Sequence, residues 1–263
     1  MSPNYAQPPQ PNVQPLRYQT SISPSPSPPG PGMVNSPMPL RVADAFILRT
    51  YPLKESDKIV SFFTREWGKR RGVARGARRP KSKFGACLEP LTQVRIQYFE
   101  REGKDLSTID HCETVASMMP VLASSAGSLL HSVAVSLMVE VADRMLPDHE
   151  VSDATFRLLR AVTQATRSAA GEAVWLPLSY YLYWMVRLGG FLPNLSLSPP
   201  AGALADAFAR QPLPALAEFG PAPAAGAPGR ELRHALYAAL TAHLEAPLRT
   251  WSMLEELSQS SER

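Results

Sequence analysis

Cysteine is nearly absent from this sequence: Cys87 and Cys112 are the two in a chain of 263 residues. Two thiols cannot build a disulfide framework or a four-cysteine zinc site, and such sparse usage fits a reducing compartment. Long apolar runs are also missing. The longest, Ala173 to Val186, contains Pro177 and stops at Arg187, too short for a bilayer and read as a buried helix. No charged leader followed by an apolar stretch opens the chain, so no secretory signal is predicted and the expected location is cytoplasmic. There is no phosphate-binding glycine loop ending in Lys-Ser/Thr. The five histidines (His111, His131, His149, His234, His243) show no metal-ligand spacing. His111 and Cys112 are adjacent on a predicted strand and therefore point to opposite faces, which excludes a base and its nucleophile. Glu55 and Asp57, flanked by Lys54 and Lys58, read as a salt-bridged turn. An enzyme is not expected.

What the chain does have is one dense patch of positive charge. Nine basic residues and a single acid, Glu66, lie between Arg65 and Lys83, so that segment carries +8 within a chain of net charge +4. The remainder is therefore weakly acidic. A localised cationic patch on such a background predicts a polyanion site rather than a generally sticky surface.

Composition divides the chain into three. Residues 1 to 40 hold twelve of the 27 prolines and one charge, Arg17, and are predicted to be a disordered tail. Residues 41 to 115 show short β-branched and aromatic runs: Ala45 to Leu48, Ile59 to Phe63, Gly72 to Arg75, Val94 to Tyr98 and Leu106 to Val115. Val94, Ile96 and Tyr98 alternate with Arg95 and Gln97, the period of a half-buried strand. Gly72, Ala74 and Gly76 share one parity and allow the sharp bend that small barrels require. Five short strands with no room for helices between them predict an OB-type barrel. From residue 116 to 260 the period becomes helical. Leu130, Leu137, Val141 and Met145 mark one helix ending before Pro147, and Asp153 is expected to cap the next. A third spans Gly171 to Leu188, and Glu231 to Leu244 and Leu248 to Leu257 close the chain. The Ala/Pro/Gly-rich stretch 195 to 229 reads as loops or one short helix. The fold class is thus α+β with two domains, a five-stranded OB-type barrel followed by an all-α half.

Within the basic segment, guanidinium forks suit phosphate oxygens, and Trp67 and Phe84 are candidate bases-stacking aromatics. Parity puts Lys69, Arg71 and Arg75 on one face of a strand. Arg78, Arg79, Lys81 and Lys83 fall on a mobile loop after it, and Arg70 completes the set. Contacts of this kind predict salt-sensitive binding of single strands with little sequence preference, with a log–log slope of about −3 to −5.

Five stretches of this region, in order, carry a family resemblance. They are Ala45-Phe-Ile-Leu-Arg-Thr-Tyr, Glu55-Ser-Asp-Lys-Ile-Val, Phe63-Thr-Arg-Glu-Trp-Gly, Gly72-Val-Ala-Arg-Gly-Ala-Arg-Arg and Leu88-Glu-Pro-Leu-Thr. Together they resemble the N-terminal barrel of the RecO family. Leu176 to Gly190 with Phe191-Leu-Pro-Asn-Leu, and Leu244-Glu-Ala-Pro-Leu-Arg-Thr, are similar to that family's helical half. The resemblance implies a nucleoid-associated recombinational repair mediator that binds single- and double-stranded DNA and anneals complementary strands. It further implies contact with the C-terminal tail of single-strand-binding protein, and cooperation with RecR in loading RecA. Arg144, Arg157, Arg160 and Arg187, cations on apolar helices, are candidates for the tail contact. Many family members carry a four-cysteine zinc site after the Gly-aromatic-x-Pro turn, whereas no cysteine follows Cys112 here, so no metal or cofactor is expected. The alternative reading is an RNA-binding OB protein of translation or RNA processing, which composition alone does not separate from a DNA binder.

Overall fold

Five strands close into a barrel in the computed structural model, which describes residues 39–100, 103, 105–123, 129–218 and 222–260. The predicted tail, residues 1 to 40, lies almost wholly outside the described residues. The strands are β1 (Leu40–Leu53), β2 (Asp57–Thr64), β3 (Gly68–Ala74), β4 (Gln93–Phe99) and β5 (Ser107–Ala116). Their order around the barrel is β1-β2-β3-β5-β4, with β1 pairing back onto β4. The β3–β5 pair is parallel and every other pair is antiparallel. This is the OB connectivity. Alternation decides the interior: Ile47, Val60, Phe62, Val94, Ile96 and Tyr98 fill the barrel. Gly72 also faces inward, and a Cβ there would lie 2.8 Å from the Ile109 Cγ1 atom. The missing side chain therefore lets β5 approach β3 and complete the closure.

Two strands are longer than the sequence suggests. β1 continues past Leu48 through a bulge between Ile47 and Arg49. β3 starts at Gly68 rather than Gly72, through a stretch whose outward side chains are Lys69 and Arg71.

The helical half comprises α1 (Met119–Leu122), α2 (Leu129–Met145), α3 (Asp153–Ser168), α4 (Trp175–Leu188), α5 (Pro199–Arg210), α6 (Leu213–Glu218), α7 (Ala222–Ala225), α8 (Ala227–Leu244) and α9 (Trp251–Ser260). The stretch 195 to 229 is therefore helical over much of its length, correcting the expectation of loops. Alanine is the best helix former, and Pro199 and Pro200 sit in the first turn, where proline costs nothing. Phe208 then buries fully and meets Tyr180 edge-on at 5.5 Å. The cap of α3 also differs: Ser152, not Asp153, accepts the backbone N–H of Thr155 at 3.2 Å. Asp153 instead binds Arg65 and Arg157, each at 2.9 Å.

Barrel and helices share a core. Phe46, Leu48 and Phe63 point outward from the barrel and pack into the same buried cluster as α2, α3 and α4. Phe156 of α3 sits 5.1 Å from the Phe46 ring and 6.3 Å from that of Phe63. At the far end of the chain, the Glu140 carboxylate of α2 accepts the backbone N–H groups of Arg249 and Thr250 at 2.8 and 2.9 Å and the Thr250 hydroxyl at 2.7 Å. That carboxylate fastens the start of α9.

Candidate nucleic-acid interface

The outer face of the barrel is covered at one end and open at the other. Register places Tyr51, Ile59, Val73 and Thr108 side by side on β1, β2, β3 and β5. Val60, Ala74 and Ile109, which follow Ile59, Val73 and Thr108, belong to the barrel core, so these three lie on the outer parity, and Tyr51 joins them as the register partner of Ile59. Tyr51 is 45% exposed, while Ile59 and Val73 are half-buried. An open cleft of about 440 Å³ adjoins this row, bounded by Leu53, Lys54, Val73, Arg75 and Thr108. A strand of nucleic acid laid here would find an aromatic ring, an apolar floor and cations at the rim. This is the strand 2–3 face that OB barrels use for oligonucleotides.

The segment after β3 forms the rim. Its backbone is stitched to the β1–β2 turn: the Arg78 N–H donates to the Ser56 carbonyl at 2.9 Å, and the Gly76 N–H to the Asp57 carboxylate at 2.8 Å. That bond from Gly76, followed by one from the Ser56 hydroxyl, holds the Asp57 carboxyl below the usual range. The loop expected to be mobile is thus a tied turn. Arg75, Arg79 and Lys81 are exposed on it, and no ion pair to any of them occurs among the described residues. Arg78 is exposed but donates to the Lys54 carbonyl at 2.8 Å. Lys83 lies 3.5 Å from Asp110 and over the Phe84 ring.

The remaining expected DNA contacts are placed elsewhere. Lys69 projects outward as parity predicts but is 6% exposed, with Nζ donating to the Asp143 carbonyl at 2.8 Å and 3.2 Å from the Asp148 carboxylate. It is not a free phosphate contact. Arg71, on the same face, pairs with Asp148 at 3.1 Å. Arg70 faces the barrel mouth, hydrogen-bonded to the Trp67 carbonyl at 3.0 Å and to His149, with Glu100 at 3.5 Å. Phe84 is 2% exposed and part of the barrel core, so it has no face to offer a base. Trp67 is half-buried at the opposite end of β3 from the basic turn, edge-on to Tyr98 with the Arg41 guanidinium over its ring at 5.0 Å. β3 separates it from Arg75 by roughly 26 Å at 3.3 Å per residue. Tyr51, the exposed aromatic of this face, lies beyond the predicted run Ala45 to Leu48 and was missed for that reason.

In the helical half, Arg144 is structural: its guanidinium donates to the Pro247 carbonyl at 2.7 Å and ties α2 to the α8–α9 link. Arg157 pairs with Asp153 at its own helix surface. Arg160 is exposed on α3. Arg187 lies over the Trp184 ring at 5.3 Å and donates to the Tyr183 hydroxyl. None of the four lines either of two clefts in this half, an apolar one of about 410 Å³ bounded by Leu176, Leu204, Leu216 and Ala224 and a more polar one bounded by Met145, Ser152, Met185 and His243. Sequence reasoning also missed Arg233, which is 2% exposed, stacks on Trp175 at 4.1 Å and donates to the Ala224 carbonyl and the Ser179 hydroxyl. Burial, and then the nearby Arg230, push its pKa down to about 9.

The residues after Gly190 do not fit a zinc ion. Phe191 stacks on His243 at 4.0 Å, and Ser198 is clamped by the Glu231 carboxylate through its N–H at 2.6 Å and hydroxyl at 2.5 Å. No group of three or more His, Cys, Asp or Glu side chains able to hold a metal occurs among the described residues. No described helix is long and apolar enough to cross a membrane.

Comparison with known proteins agrees with this architecture. The family described as "Recombination protein O N terminal" matches residues 38–118. The protein named DNA repair protein RecO from Koribacter versatilis is 36% identical over 252 residues, covering 83% of this chain and 99% of its own. Its namesake from Bifidobacterium longum subsp. infantis is 33% identical over 166 residues, 63% of this chain and 67% of that protein. That from Streptomyces coelicolor is 37% identical over 156 residues, 57% and 61% respectively. With a barrel of OB connectivity, a helical half behind it and a relative matched along essentially its whole length, this chain belongs to the RecO family.

Proposed function

We propose that the chain is a non-enzymatic mediator of recombinational DNA repair that binds single-stranded DNA across the open end of the barrel's outer face. The observation that carries this reading is the outer-face row of Tyr51, Ile59 and Val73 beside a cleft that Lys54 and Arg75 line, with Arg79 and Lys81 exposed on the turn that follows β3. Phosphates engage the cations, a base stacks on the Tyr51 ring, and Ile59 and Val73 supply the apolar floor. Double-stranded DNA is held by the same cations through phosphate alone, without stacking. A surface that grips backbone and leaves base edges free suits annealing of complementary strands. The relatives' shared name, DNA repair protein RecO, supports the assignment to repair.

Replacing Tyr51 with Ala is expected to weaken binding to an unstructured oligonucleotide about tenfold, since stacking contributes about 1–3 kcal/mol per base. Tyr51→Phe should bind almost as wild type. The same titration with an RNA of equal sequence as competitor decides between nucleic acids. If RNA displaces DNA at parity, the RNA-binding alternative gains and the repair reading loses its specificity.

The helical half is proposed to dock the C-terminal tail of single-strand-binding protein and, with RecR, to help load RecA. Support comes from the apolar cleft between α4, α5, α6 and α7, which suits a terminal aromatic; Arg160 and Arg187 are exposed but do not line it. Deleting the final Phe of the tail peptide is expected to cost at least about tenfold in affinity if an apolar pocket holds it. No change on deletion would mean that the basic turn captures the peptide by charge alone.

A further inference from the structure

The cations of the +8 segment divide sharply along the chain, and the division is made by the helical half. β5 pairs with β3 only from Gly72 onward, which leaves the edge of β3 open over its first half. Residues 148 to 150, between α2 and α3, fill that edge. Asp148 bridges to Lys69 in parallel, and the His149 N–H donates to the Lys69 carbonyl at 3.0 Å. The approach is close enough that a Cβ on Gly68, whose φ is +68°, would lie 2.1 Å from the Glu150 carbonyl oxygen.

This docking delivers carboxylates onto the outer face. Asp148 takes Lys69 at 3.2 Å and Arg71 at 3.1 Å with separate oxygens. Asp143 takes Arg49 at 3.3 Å, and Asp153 takes Arg65 at 2.9 Å. Each of these cations could serve a phosphate but already holds an anion. Arg75, Arg79 and Lys81, beyond the end of β3, form no ion pair within 4 Å among the described residues, although the Asp57 carboxylate shares the cleft with Arg75 and feels its charge.

The geometry points to Asp148 as an internal phosphate mimic that ends the DNA track: by occupying Lys69 and Arg71, it confines a bound strand to the Tyr51–Arg75 end of the barrel face. Asp148 and Arg71 have side chains 43% and 52% exposed, so the pair is open to competition rather than locked in the core. The inference rests on the DNA-binding reading above and deepens it, because it fixes the length and position of the site.

Asp148→Asn in the full-length protein keeps the shape and removes the charge. Lys69 stays buried and bound to the Asp143 carbonyl, so the one released cation is Arg71; at about 0.7 per phosphate on single strands it should steepen the log–log salt slope by about 0.7 and tighten binding of a poly-dT oligonucleotide about fivefold at low salt. Arg71→Ala, a surface change that leaves folding intact, should alter wild-type binding by less than about twofold while reversing much of the gain in the Asp148→Asn background. Arg75→Ala in the same assay reports on the DNA-binding reading itself. If Arg75→Ala weakens binding but Asp148→Asn changes neither affinity nor slope, the phosphate-mimic assignment is overturned and the binding face stands. If Arg71→Ala in the wild type costs as much as Arg75→Ala, Arg71 already contacts DNA and the assignment also fails. A gain from Asp148→Asn with no loss from Arg75→Ala would keep the mimic and remove the basic turn from the track.

Discussion

Replacing Glu140 with Ala is expected to destabilise the protein by about 3–5 kcal/mol, the range for removing one partner of a buried charged network. The side chain is 3% exposed and accepts three hydrogen bonds from Arg249 and Thr250, with Arg144 at 3.8 Å. Truncation would leave two backbone N–H groups and a hydroxyl of the partly buried Arg249–Thr250 segment without their acceptor, at up to about 1–3 kcal/mol each where water does not replace it. For a chain of this size that corresponds to a fall in Tm of about 8–15 °C by calorimetry. Burial pushes the Glu140 carboxyl up, but the Thr250 and Arg249 N–H groups, the Thr250 hydroxyl and Arg49 outweigh it and leave the pKa below its ordinary 4.5. The native state therefore holds the charged form more tightly than the unfolded chain does. That contribution is fully present above the unfolded pKa and is lost as the pH falls through the lower folded value. The Tm gap between wild type and Glu140→Gln should accordingly narrow below about pH 4.3. A gap of the same size at pH 3 and pH 7 would show that the charge contributes nothing.

The second large effect belongs to the basic turn. With Lys69, Arg70 and Arg71 engaged by the protein's own groups, the salt slope for single strands is expected at about −2 to −3.5, shallower than the whole +8 segment would give. Changing Arg75, Arg78, Arg79 and Lys81 together to Ala should flatten that slope by about 2 and weaken binding about a hundredfold or more at roughly 50 mM salt, equally for every sequence. Stability should barely move, because these side chains are exposed and only Arg78 makes a hydrogen bond, to the Lys54 carbonyl. Fluorescence anisotropy across a salt series measures both quantities. An unchanged slope in the quadruple variant would make the turn ordinary solvated surface.

The barrel was legible in the sequence where its cause is local. Alternation at Val94, Ile96 and Tyr98 is the pleat itself, and the small residues at Gly72 and Ala74 mark the inward face that β5 approaches. The site was legible only in part. Position along the strand correctly put Lys69 and Arg71 on the outer face, but nothing near them in sequence announces Asp143 and Asp148, which arrive from another element some seventy residues later. The same limit hid the fate of Phe84: beside Lys81 and Lys83 it reads as a stacking ring, yet the closed barrel takes it inside. Tyr51 was obscured by the bulge after Ile47, which breaks the pleat that the run Ala45 to Leu48 would otherwise extend. Stretch 195 to 229 misled through composition, since Pro and Gly mark loops in general but Pro199-Pro200 begins a helix when alanines follow.

The shared core at Phe46, Phe63 and Phe156 has a consequence for synthesis in the cell. The two barrel phenylalanines leave the ribosome about a hundred residues before the helix that covers them, which at about 5–20 residues per second is a wait of roughly 5–20 s. Once β5 has emerged and the barrel has closed, it offers an apolar outer face with nothing upon it until α3 follows about fifty residues later, roughly 2–10 s at the same rate. A holding chaperone would find its target there, and its release would be timed by the emergence of α3.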